Sequence, residues 1–220
     1  MSRFAHLIFD LDGTLVDSRA DLAAATNVML ESFGLAPLTI EQVTGYIGDG
    51  ARVLVQRALG PERAALVPQG FAIFMEHYLA HLLDLTRPYE GILPLLVAAQ
   101  AQGIVLSVLT NKPEAPSRAI LSGLGLAQYF TSVIGGDTLS VRKPDPHGIA
   151  HLQQVSGLPL TQTLLIGDSR IDIETGQAAG VVTCGVTWGF GTQGLRTTPP
   201  EFVVDSAEEL RRVILGTDKG

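Results

Sequence analysis

The chain has 220 residues, 46% of them hydrophobic and only 17% charged, with a formal net charge of −7. That composition excludes a disordered chain, and the acidic balance excludes a nucleic-acid binder, which needs a basic surplus to release counterions. Only three of the basic residues are lysines (Lys112, Lys143 and Lys219), so each lysine needs a reason. A lone cysteine, Cys184, permits no internal disulfide and fits a reducing compartment. The apolar stretch before Asp10 is too short for a signal peptide, and no run approaches the ~20 residues of a membrane span. The expectation is a cytoplasmic protein with no membrane partner.

Residues 6–10 (HLIFD) form a continuous apolar run and read as the first strand. No strand pattern follows between residues 16 and 87; residues 21–33, 39–46, 51–59 and 71–83 read as helices, punctuated by Gly34, Gly60, Pro61 and Pro68. Beyond residue 87, strands are expected at 104–110, 132–135, 163–167, 181–186 and 202–204. Helices alternate with them at 94–102, 114–123, 146–156, 171–179 and 206–215. Continuous rather than alternating apolar runs suit strands buried on both faces of a parallel sheet. The pattern predicts an α/β fold, a doubly wound Rossmann-like parallel sheet with an inserted α-helical cap domain. Residues 1–16 and 87–220 would form the α/β core and residues 17–86 the cap. The insert would stand beside the carboxyl edge of the sheet, where open α/β sheets bind ligands.

Four polar stretches fall at four expected strand ends. Asp10-Leu11-Asp12-Gly13-Thr14 puts two carboxylates two residues apart. They point to one side if strand geometry persists, or the turn offers one side chain and one carbonyl to a common point. A divalent cation would relieve their repulsion, although two solvated helix-capping aspartates would have the same spacing. Thr110-Asn111-Lys112 offers a hydroxyl and an amide that can donate to phosphate oxygens, or it is a polar turn. Lys143 sits in Arg142-Lys143-Pro144-Asp145-Pro146, where two prolines stiffen the backbone around a compact positive charge. Asp168 and Asp172 lie four apart across a helix start, able to face one cation directly or through water, or to cap that helix.

Together these stretches resemble the motifs of the haloacid dehalogenase superfamily, from Arg3 to about Val186, with the helical insert where that family carries its small cap. Ile47-Gly48-Asp49-Gly50-Ala51-Arg52, Arg87-Pro88-Tyr89-Glu90-Gly91 and Thr110-Asn111-Lys112-Pro113 are further similar to bacterial phosphoglycolate phosphatases. The resemblance implies a Mg2+-dependent phosphatase acting through an aspartyl-phosphate on a small phosphorylated metabolite, 2-phosphoglycolate first. It implies Asp10 as nucleophile, Asp12 as acid and base, and Thr110 and Lys143 as phosphoryl-holding groups. Gly13, Thr14 and Asn111 would contact substrate. Magnesium would be held by Asp10, Asp168, the carbonyl of Asp12 and waters, with Asp172 behind them or bound through water. Arg52 is the expected contact for the glycolate carboxylate, since guanidinium presents a bidentate donor fork.

Other members of the superfamily, acting on sugar phosphates or pyrophosphate or moving phosphate between hydroxyls, share these motifs. From another class, a phospho-acceptor signalling module also clusters aspartates, a hydroxyl and a lysine on a parallel sheet. Such modules are much shorter and pair adjacent acids, whereas here the acids straddle Leu11. His77/His81 and His147/His151 have zinc-compatible i, i+4 spacing but no third ligand in sequence, which favours chance helical spacing. Trp188-Gly189-Phe190-Gly191 follows the fifth main strand and could line the mouth of a site or simply pack a loop. A monomer or homodimer is expected.

Overall fold

The computed structural model describes residues 3–216; Lys219 lies outside them. In chain order the elements begin with β1 (His6–Phe9), β2 (Val16–Asp17), α1 (Arg19–Ser32), α2 (Ile40–Thr44), α3 (Ala51–Leu59), α4 (Val67–Ala80) and β3 (Arg87–Pro88). There follow α5 (Ile92–Ala101), β4 (Val105–Leu109), α6 (Glu114–Gly123), β5 (Ser132–Ile134), α7 (His147–Ser156), β6 (Thr163–Gly167) and α8 (Arg170–Ala179). The chain closes with β7 (Val182–Val186), β8 (Phe202–Val204) and α9 (Ala207–Leu215).

Six strands form one sheet in the order β5-β4-β1-β6-β7-β8, every neighbouring pair parallel. The order reverses at β1, so the carboxyl ends of β4, β1 and β6 meet at a topological switch point. Burial on both faces explains the continuous apolar runs. Leu7 and Phe9 join a large cluster with α5, α6 and α9 residues such as Ile92, Ile120 and Leu210. Ile8 packs on the other side with Leu109, Leu165, Ile149 and Leu152. His6 is buried too, its Nε2 2.9 Å from Ser107 Oγ, and burial lowers its pKa to about 4, leaving it neutral.

Between β2 and β3 the chain is helical, as the sequence indicates. Leu22, Met29, Leu54, Phe74 and Tyr78 of α1, α3 and α4 belong to the same apolar cluster as the sheet. Two details differ from the sequence reading. Pro68, expected to break the chain, lies in the first turn of α4, where its missing N–H costs nothing. The chain also leaves and re-enters the sheet layer side by side, through the antiparallel pair β2–β3. Asp21, buried in the first turns of α1, staples these crossings by accepting from the Leu85 and Thr86 amides and the Thr86 hydroxyl at 2.7–3.1 Å. No helix among the described residues is long and apolar enough to cross a membrane.

Candidate active site

Asp10 is the first residue beyond β1, and its amide still donates to Ile166 O of β6 at 2.9 Å. The sheet therefore carries Asp10 into line with Asp168, just beyond β6, and Thr110, just beyond β4. Asp10, Asp168 and Asp172 bring one ligand atom each to within 4.8 Å of one another, all three residues buried. Lys143, arriving from the loop before α7, sets its Nζ 3.0 Å from Asp10 Oδ1 and 2.5 Å from Asp172 Oδ1. Two of the three clustered carboxylates thus pair with one ammonium. Burial, reinforced by Asp172, pushes the Asp10 carboxyl up to about 6 against the pull of Lys143. Burial and the charges of Asp172 and Asp10 push Asp168 up to about 7. Excess negative charge on buried oxygens is the chemistry that a divalent cation satisfies, so this cluster fits one.

The three acids are not equivalent. Asp172 Oδ2 accepts from the hydroxyl and amide of Ser169 at 2.6 and 3.1 Å, closing a capping box on α8, while Oδ1 takes Lys143. Asp172 thus serves the start of α8 with one oxygen and pairs with Lys143 through the other. Asp168 Oδ2 accepts from the Phe190 and Gly191 amides at 2.5 and 2.9 Å. Those donors belong to the Trp188-Gly189-Phe190-Gly191 loop, whose indole donates to Thr14 O at 3.2 Å. The loop therefore braces both the metal-type carboxylate and the turn after β1. Gly13 adopts φ +90°, and a Cβ there would stand 2.5 Å from Asp168 Oδ2. Thr14 is fully buried with its hydroxyl unpartnered.

Asp12 stands apart from that cluster. Its carboxylate accepts from Lys112 Nζ at 2.9 and 3.2 Å and from Ser18 Oγ at 2.6 Å. Ser18 consequently does not cap α1, although it occupies the N-cap position. Lys112 Nζ also reaches Tyr78 Oη on α4, at 2.6 Å. Burial opposes the Lys112 charge, but Asp12 and Tyr78 outweigh it and raise its pKa; burial lifts the Tyr78 hydroxyl to about 12. Thr110 Oγ1 accepts from the Lys112 amide at 3.2 Å, which tightens the turn. Asn111 Nδ2 donates to Gly48 O and to Lys143 O, each at 3.0 Å, and its own Oδ1 is buried without a partner.

Asp10, Asp12, Thr110, Asn111 and Lys112 line a cleft of roughly 540 Å3, open to solvent between the sheet edge and the helices. The facing wall is mostly apolar, with Leu22, Ile47, Leu54 and Met75, and includes Tyr78. Arg52 lies elsewhere. It is exposed, with its guanidinium 4.7 Å over the Phe71 ring, and it is not among the residues lining the cleft. Ala51 and Leu54 occupy the cleft-facing stripe of α3, and Arg52, one residue on from Ala51, is turned about 100° away. The histidine pairs join no metal-type cluster among the described residues: His77 and His81 stack on each other at 4.3 Å, and His147 pairs with Asp145. Sequence reasoning left Tyr78, Ser18 and the Phe190 and Gly191 amides unassigned.

Residues 7–186 match the family profile described as haloacid dehalogenase-like hydrolase. A phosphoglycolate phosphatase of Neisseria meningitidis is 41% identical over 211 residues, covering 92% of this chain and 90% of the relative. One of Pseudomonas putida is 39% identical, covering 93% of this chain and 77% of the relative. The crystal structure of a predicted phosphoglycolate phosphatase from Haemophilus somnus 129pt superposes with a TM-score of 0.92 at 32% identity, covering 97% and 99% of the two chains.

Proposed function

Because this chain belongs to the haloacid dehalogenase-like hydrolases, we propose that it is a Mg2+-dependent phosphate monoester hydrolase converting 2-phosphoglycolate to glycolate and phosphate in the cytoplasm. The observation that carries the reading is the separation of two carboxylates two residues apart into different environments. Asp10 faces Lys143 and two further acids, whereas Asp12 faces Lys112 and Ser18. Separate partners leave the two carboxylates free to take separate roles, and the motif resemblance assigns attack to Asp10 and proton transfer to Asp12. The relatives named phosphoglycolate phosphatase supply the substrate.

In this mechanism an Asp10 carboxylate oxygen attacks phosphorus, and the bond from phosphorus to the ester oxygen breaks as Asp12 gives that oxygen its proton. Asp12, now a carboxylate, takes a proton from water as the water attacks the aspartyl-phosphate. Phosphate leaves and Asp10 is restored. Thr110 and the backbone amides around Asp12 and Asn111 hold the phosphoryl oxygens, and Lys143 screens Asp10 from the incoming dianion. Asp10, Asp168 and the carbonyl of Asp12 would hold magnesium, which when bound neutralises phosphoryl charge; Asp172 keeps Lys143 aimed. Residues 17–86 act as a cap that excludes water and meets the organic half of the substrate. Phosphate release from 2-phosphoglycolate, sugar phosphates and pyrophosphate, with and without magnesium and with Asp10→Asn as blank, tests the reading. The account expects phosphoglycolate to have the highest kcat/KM; no release from any ester would end it.

A further inference from the structure

Lys112 joins three parts of the molecule. Its Nζ bonds both oxygens of Asp12 at the sheet edge and the hydroxyl of Tyr78 on α4. An ammonium has three donors, and these three oxygens take one each. Ser18 Oγ closes on Asp12 Oδ1 from another side at 2.6 Å, leaving the carboxylate little freedom. The Tyr78 ring is held independently of its hydroxyl, stacked on Phe74 with centroids 5.5 Å apart. Lys112 and Tyr78 are both buried, side by side in the wall of the cleft.

We propose that Tyr78 is a positioning residue for Asp12. Acting through Lys112, it ties the placement of the proton-transferring carboxylate to the seating of the helices on the sheet. The inference rests on the hydrolase reading, in which Asp12 protonates the departing alcohol. Loss of the Tyr78 hydroxyl frees one side of the Lys112 ammonium, and Asp12 loses its fixed counterpart. That loss matters in proportion to how much the leaving group needs a proton. An alkoxide needs one, and a nitrophenolate departs readily without it.

The experiment compares wild type and Tyr78→Phe, with magnesium, on 2-phosphoglycolate, ethyl phosphate and p-nitrophenyl phosphate, reading kcat/KM. A melting temperature close to wild type verifies the fold. Lys112→Gln, scored by the same ordering of esters, serves if the phenylalanine variant melts early. The expected result is a fall of about ten-fold on both alkyl esters and less than two-fold on the aryl ester, a fraction of the 10²–10⁴ that general acid catalysis supplies. Equal losses on all three, or none, overturn the proposal. A loss confined to 2-phosphoglycolate also overturns it, because the pair would then be reading the substrate carboxylate. Wild-type turnover tests the hydrolase reading separately: no release from any ester removes both, whereas wild-type turnover with a uniform variant loss removes this inference alone.

Discussion

Lys143 stands between Asp10 and Asp172, 3.0 Å from one carboxylate and 2.5 Å from the other, and is itself only 5% exposed. Lys143→Met would leave two buried carboxylates without their cation. Breaking a buried pair from one side costs about 3–5 kcal/mol, which for a chain of this size lowers the melting temperature by on the order of 10 °C. Phosphate release should fall at least ~100-fold, because the nucleophile loses its screening charge. Calorimetry and a phosphate assay check both, and an unchanged melting temperature would contradict the buried pair.

Gly13→Ala should disable the site through Asp168. The glycine sits at φ +90°, which an L side chain rarely adopts, and the new methyl would stand 2.5 Å from Asp168 Oδ2. The carboxylate must move away from the Phe190 and Gly191 amides. The account expects weaker magnesium dependence of folding stability and a loss of turnover beyond ten-fold. Wild-type magnesium response in this variant would show that Asp168 is not a ligand.

Arg52→Ala should leave kcat/KM for 2-phosphoglycolate within about two-fold, since the guanidinium lies over Phe71 and outside the cleft. The stacking on Phe71 is worth about 0.5–1 kcal/mol at an exposed position, so stability should change little. A ten-fold rise in KM would return Arg52 to the substrate.

The strands were legible because parallel strands buried on both faces are written as unbroken apolar runs; Thr163–Gly167 and Phe202–Val204 match their sequence limits. The two-residue pair β2–β3 carries no periodicity and left no such mark. Asp10, Thr110, Lys143 and Asp168 were legible because each follows a strand. Lys112 bonds Asp12 across a hundred residues; the scarcity of lysine and its place in Thr110-Asn111-Lys112-Pro113 hinted at a role, but not at this partner. The Phe190 and Gly191 donors are backbone amides, which every residue but proline carries, so no residue type could mark them. Glycines and an arginine suggest an anion pocket around Arg52, whereas the rotation of α3 aims Ala51 and Leu54 at the cleft.

His6 gives the protein a pH dependence of known sign. The folded chain holds it near 4 while the unfolded chain titrates near 6.5, so between these values the unfolded state binds more protons. Its contribution to stability is full above pH 6.5 and is lost as pH falls toward 4. Denaturant midpoints measured across that window should decline more steeply for wild type than for His6→Gln. Identical slopes would show that His6 is charged in the folded state.

In the proposed mechanism phosphate passes through Asp10. The most direct measurement is mass spectrometry of peptides from the Asp12→Asn variant, acid-quenched during turnover of p-nitrophenyl phosphate with magnesium, an ester whose leaving group departs without a proton. Without a carboxylate at position 12 to activate water, the acyl phosphate should persist, and the peptide containing Asp10 should gain the mass of one phosphoryl group on that residue. A phosphoryl group found on another residue, or nitrophenolate release with every peptide unmodified, would contradict it.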